Sequence, residues 1–175
     1  AANALLLNGL LLTAHALDGL AHAVEALCGH AIGAGDRQAL RRSLVVACGW
    51  SLLASSGFAL LFLCAGHLFV DMQTDIPSVR DTAYLYLPYL AALPLIAVGS
   101  YLLDGLFIGA TRAREMRNGM LLTVIIAAPF AWFLQGWGNH GLWLAFLLFM
   151  VLRSLTLGVI AWQLRSQDRW FTAQQ

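Results

Sequence analysis

The chain has 175 residues, 60% of them hydrophobic and 11% charged, with a mean hydropathy of +0.74. A soluble domain usually carries about 25% charge, so this composition excludes a water-exposed globule as the main architecture. All 10 basic residues are arginine, the net charge is +1, and no basic block follows an aromatic run, which argues against a nucleic-acid partner or an acidic substrate.

The first predicted helix runs over residues 4–32. Read at alternating spacings of three and four, it gives Asn8, Leu11, His15, Asp18, His22, Glu25 and Gly29 on one stripe, while the rest is largely Leu, Ala, Val, Gly and Cys. Asp18 lies near the middle of the run, where an acid costs roughly 2.5–3.5 kcal/mol on membrane-insertion scales. Such a group must face protein or water, and the stripe reads as the lining of a polar path. The run ends in Gly33-Ala34-Gly35-Asp36, a stop-and-turn pattern, followed by Arg37, Arg41 and Arg42.

A second run covers 44–69 and closes near Asp71, and an acidic linker with Asp71, Asp75, Pro77 and Arg80 leads on. The third run, 82–109, is interrupted by Pro88 and Pro94, which are expected to kink it. The basic segment Thr111–Asn118 connects to a short fourth run, 120–134, expected to borrow length from the Gly/Trp-rich flank Gly136–Gly141. The fifth run covers 142–164 and leads into a polar tail, 165–175. Each run is about 15 to 30 residues, against about 20 needed to span a bilayer. The expectation is an all-α, polytopic membrane bundle of about five transmembrane helices forming one membrane domain, 1–175.

Arginines cluster after the first, third and fifth runs, whereas the connections after the second and fourth are acidic or uncharged. The positive-inside rule then places the amino end outside and the carboxyl end in the cytoplasm. A chain that begins outside, on Ala and without a signal-peptide pattern, is expected to be a piece of a longer protein.

Asp18 and Glu25 are the first candidates for proton coupling or substrate binding, because intramembrane carboxylates are costly enough to be functional by default. His15 and His22 are candidate relays or hydrogen-bond partners, with a buried structural role as the ordinary alternative. His30, near the helix end, reads as interfacial. Asp104, in the third run, is a further functional candidate, and the adjoining Gly105 and Gly109 form a G-x-x-x-G read as helix packing. Arg153, mid-span in the fifth run, needs an acidic partner, and Asp18, Glu25 and Asp104 are all open. Cys28, Cys48 and Cys64 lack C-x-x-C spacing and read as reduced packing residues, with no metal site and no cofactor other than a coupling ion, H⁺ or Na⁺. Without a G-x-S-x-G or an H-E-x-x-H, no enzyme is expected, and Ser55-Ser56-Gly57 is a small-residue packing patch.

These residues carry a resemblance. The stretch Asp18–Asp36 is similar to the second helix of a repeat in multidrug and toxic compound extrusion (MATE) transporters, with His30 where a Gln is usual. Leu103–Asn118 and Gly138–Ala145 closely resemble the DinF branch of that family, and the similarity covers essentially the whole chain. The resemblance implies twelve helices in two six-helix lobes around a cleft, of which this chain would supply the eighth to twelfth, the amino lobe of the same transporter being its missing partner. It implies cation-coupled export, with H⁺ put ahead of Na⁺ as the coupling ion, of organic cations or amphipathic drugs across a bacterial cytoplasmic membrane. In this branch the best-known proton-linked acid belongs to the amino lobe, so the roles of Asp18, Glu25 and Asp104 rest on burial rather than on a family motif. A flippase for lipid-linked or amphiphilic substrates is the alternative. A structural membrane subunit is the plainest reading, and the ionisable groups at mid-span oppose it.

Overall fold

The computed structural model describes residues 1–171, which form five α-helices: α1 (Ala2–Gly33), α2 (Arg37–Asp71), α3 (Pro77–Gly109), α4 (Ala113–Leu134) and α5 (Gly138–Ser166). A short 3-10 turn, Gln135–Trp137, joins the last two. Four helical stretches are long and apolar enough to cross a membrane: α1, α2, α3 and the continuous run Ala113–Ser166. Within that run α4 and α5 fold back on one another, as the Thr123–Thr156 hydroxyl contact of 2.7 Å and the packing of Gly119 beneath Leu157 require. The sequence-based count of about five therefore differs only in how this hairpin is divided.

The helices extend beyond the apolar runs, and mostly toward arginine. Arg37, Arg41 and Arg42 belong to the opening turns of α2, which Asp36 caps by accepting from the Ala39 N–H at 2.8 Å. Likewise α4 begins at Ala113, not near residue 120, so it gains length from the basic segment and not from the Gly/Trp flank. Ala, Arg, Glu and Met are strong helix formers, and hydropathy alone does not register that. Pro77 opens α3, where its missing N–H costs nothing. The helix then runs on through Pro88 and Pro94, each of which removes one helical hydrogen bond from the carbonyl four residues back.

Three helix ends on the arginine-rich side close in the same way. Gly35, Thr111 and Asp168 adopt left-handed backbone (φ 67, 56 and 55°). The next N–H then reaches back five residues, Asp36 to Ala31, Arg112 to Phe107 and Arg169 to Leu164, each at 2.9 Å. This turn satisfies carbonyls that would otherwise be left without donors.

Helix α3 is the central element, with 56% of its apolar window buried against 17–22% in the other spans. It packs on α1, α2 and α5, while α4 lies outermost against α5. One core cluster, at the arginine-rich end, gathers Val24, Cys28, Leu106, Phe107, Leu157 and Trp170. The other gathers Leu6, Phe62, Val70, Leu87, Leu90 and Trp143. Helix α2 turns a row of small residues, Ser51, Ser55, Ala59 and Gly66, inward and leaves Val45, Trp50, Leu53, Leu60 and Leu63 bare, as a lipid-facing helix must.

The tail departs from the expectation of a simple polar extension. Trp170 is buried against Phe107, with ring centroids 5.5 Å apart, and Phe171 stacks under the Arg37 guanidinium at 5.4 Å. Asp168 pairs with Arg37, and Arg112 donates to the Arg169 carbonyl. Two aromatic rings seek the same shelter here as any core side chain. The remainder of the predicted tail, residues 172–175, lies outside the described residues.

Candidate functional site: a polar stripe beside a membrane ion pair

The inward face of α1 consists of Leu6, Gly9, Thr13, Leu17, Ala21, Val24 and Cys28, spaced at three and four. Rotating away from it brings up Asn8, His15, Asp18 and His22, all exposed on this chain, and Glu25, half-buried. The stripe is thus real helix geometry, but no described helix covers it. His22 Nδ1 meets Glu25 Oε2 at 3.2 Å, one turn apart. His15 Nδ1 lies 2.6 Å from the Leu11 carbonyl, and the Asn8 amide donates to Gln73 Oε1 at 2.7 Å. His30, at the last turn of α1, is exposed.

Close approach of α3 to α1 is what brings acids on different helices near each other. A methyl group at Gly105 would overlap the Ala21 carbonyl, and one at Gly109 would overlap the Glu25 carbonyl. Gly29 returns the contact, its absent Cβ lying 3.0 Å from the Gly109 oxygen. Small residues therefore let the two backbones touch along the very stretch that carries Asp18 and Glu25 on one side and Asp104 on the other.

Arg153 of α5 reaches across to Asp104 of α3, and both side chains are largely buried (17% and 13% exposed). Of the three acids left open by the sequence, Asp104 is its partner. The pair is incompletely satisfied: Asp104 Oδ1 and Arg153 Nε are shielded from solvent and lack a hydrogen-bond partner among the described residues. Nearby Ser154 Oγ is in the same condition. Asp18 is close enough for its charge to act on both Asp104 and Tyr101. Asp18 of α1 and Tyr101 of α3 thus lie in the electrostatic neighbourhood of the Asp104–Arg153 pair.

Sequence reasoning missed several polar contacts. Buried Arg112 bonds Glu115 at 2.7 Å while holding the tail carbonyl, which ties the α3–α4 turn to the end of α5. At the opposite end, Tyr89 Oη and His140 Nδ1 are 3.0 Å apart. Asn3 and Asn139 exchange amide hydrogen bonds of 2.5 and 3.0 Å, and Trp143 donates to Asn3 at 3.2 Å. Arg80 bridges Asp71 and Asp75, with Tyr84 bonded to Asp71. The signal for these was present only as scattered polar residues near helix ends, with no periodicity to link them.

A MatE family model matches residues 1–133. DNA damage-inducible protein F of Escherichia coli (strain K12) is 43% identical over an alignment of 176 positions that takes in 99% of this chain and 38% of that protein. The chain therefore spans well under half the length of this relative. No solved structure gives a significant match. With its apolar helices packed around small residues and its charges held on inward or uncovered faces, this chain is a multi-pass membrane protein that belongs to the MatE family of MATE transporters.

Proposed function

We propose that the chain is the carboxyl-lobe portion of a cation-coupled antiporter that exports organic cations or amphipathic toxic compounds, with H⁺ as the coupling ion. The observation that carries this reading is the uncovered polar stripe of α1, on which Asp18 lies within electrostatic range of the buried Asp104–Arg153 pair. An Asp18 facing hydrocarbon would cost several kcal/mol, so on this reading the stripe borders a polar cavity completed by the other lobe. In that cavity a bound organic cation and a proton compete for the same carboxylates. Protonation removes the charge that holds the cation, and the lobes rock between inward-open and outward-open states. Competition makes occupancy by proton and by cargo mutually exclusive, and for exchange to be coupled each must also bind the two states with different affinity. Arg153 bonds one carboxylate oxygen of Asp104 and so sets the orientation of the other.

The same reading sets the arginine-rich end in the cytoplasm and the Asn3–Asn139–Trp143 end outside, in a bacterial inner membrane, as the arginine distribution favours. The test uses the full-length protein in liposomes, with efflux of a fluorescent organic cation driven by an imposed pH gradient. Wild type transports, and Asp18→Asn, with Glu25→Gln and Asp104→Asn compared alongside, abolishes or uncouples transport while the protein stays folded. Wild-type rates in all three variants contradict the proposal.

A further inference from the structure

At the arginine-rich end, a cavity of about 450 Å³ opens between the start of α2 and the docked tail, bordered by Arg37, Arg41, Arg165, Leu40 and Trp170. Among the described residues Asp168 is the one acid on its wall, set against three arginines, and it is already engaged by Arg37. Arg41 and Arg165 are exposed and form no ion pair among the described residues. A second cavity, about 400 Å³, shares Leu44, Leu106, Arg165 and Trp170 with the first. It runs inward past Cys48, Leu103 and Trp162 to Gly99, which lies ~15 Å of helix rise inside the Gly109 end of α3. That depth is about half the hydrocarbon core of a bilayer. The two adjoining cavities are thus cationic where headgroups lie and apolar where acyl chains lie.

We propose that this groove is a binding site for an anionic glycerophospholipid, its phosphate held by Arg41 and Arg165 and one acyl chain laid along Leu44, Leu103 and Trp162. The apolar extension selects a lipid over a free anion, since a small phosphate leaves that half of the groove unfilled. The net positive wall selects an anionic headgroup over a zwitterionic one, because arginines near the surface attract acidic lipids. Polar and apolar parts meet at Trp170, an amphipathic side chain suited to that boundary. The bound lipid would brace the tail against α2, beside the Arg37–Asp168 contact.

The test is lipid retention by purified full-length protein, measured by native mass spectrometry after exchange with chain-matched phosphatidylglycerol or phosphatidylcholine. Wild type retains phosphatidylglycerol preferentially, and inorganic phosphate at millimolar concentration does not displace it. Each substitution, Arg41→Gln or Arg165→Gln, weakens retention about five-fold and the pair about thirty-fold. Leu103→Trp, which fills the apolar arm, also weakens it. The control Arg114→Gln/Arg117→Gln removes the same charge at the same end of the bundle, outside the groove, and leaves retention unchanged. Equal retention of the two lipids, displacement by phosphate alone, or an equal loss in the control overturns the assignment. So does the absence of retained lipid, which would mean that another segment of the full-length protein fills the groove.

Discussion

The pairing of Arg153 with Asp104 makes a quantitative prediction about stability. Both side chains are nearly removed from solvent, so replacing one partner strands the other. Breaking a buried pair from one side costs about 3–5 kcal/mol, whereas neutralising both is often close to neutral. The bonds missing at Asp104 Oδ1 and Arg153 Nε place this pair at the lower end, about 3 kcal/mol for Arg153→Met, which leaves a lone carboxylate among α1, α3 and α5. Asp104→Asn costs less, about 2 kcal/mol, because the amide still accepts one bond from the guanidinium. The double variant costs about 2 kcal/mol where the two singles sum to about 5, giving an interaction energy of about 3 kcal/mol in a double-mutant cycle. Reversible unfolding of the full-length protein in mixed detergent titrations reads all four corners. Single variants within 0.5 kcal/mol of wild type, with an additive cycle, would refute the claim that the two charges depend on each other.

Other substitutions test the packing. Gly105→Val and Gly109→Val force the α1 and α3 backbones apart and should each destabilise by about 1–3 kcal/mol, while Gly57→Ala, with open space around it, should be harmless or slightly stabilising; equal effects at the three positions would show that close contact is not the cause. Trp170→Ala should cost the tail about 3 kcal/mol of docking and speed tryptic cleavage after Arg165 and Arg169 by roughly two orders of magnitude. Unchanged cleavage would mean the arginine and aspartate contacts suffice to hold the segment. Thr111→Gly relieves a β-branched residue from left-handed backbone and should raise unfolding stability by about 1 kcal/mol, and a loss of stability would assign the larger role to the threonine hydroxyl.

Much of the fold is local and therefore readable from sequence. Apolar runs locate the helices, and the three-and-four spacing from Asn8 to Glu25 places those residues on one face of α1 whatever surrounds it. Helix ends were less accessible, because Arg37, Arg41, Arg114 and Arg117 are good helix formers that hydropathy scores as loop. Long-range choices were not readable at all. The partner of Arg153 depends on how α3 and α5 rotate against each other, and the tail docks on Phe107 and Arg37 across a large separation in sequence. Nor does spacing say which side of a polar stripe is covered: Asp104 is enclosed by α5, whereas Asp18, His15 and His22 stay bare on this chain.

Competition between proton and cargo is the central claim, and proton release measures it most directly. Purified full-length protein in weakly buffered solution with a pH-sensitive dye would be titrated with tetraphenylphosphonium, and its binding followed in parallel. Binding that releases protons in wild type, and releases fewer or none in Asp18→Asn, is the predicted result. Tight binding with no proton release, or the same release in Asp18→Asn, Glu25→Gln and Asp104→Asn as in wild type, would contradict it.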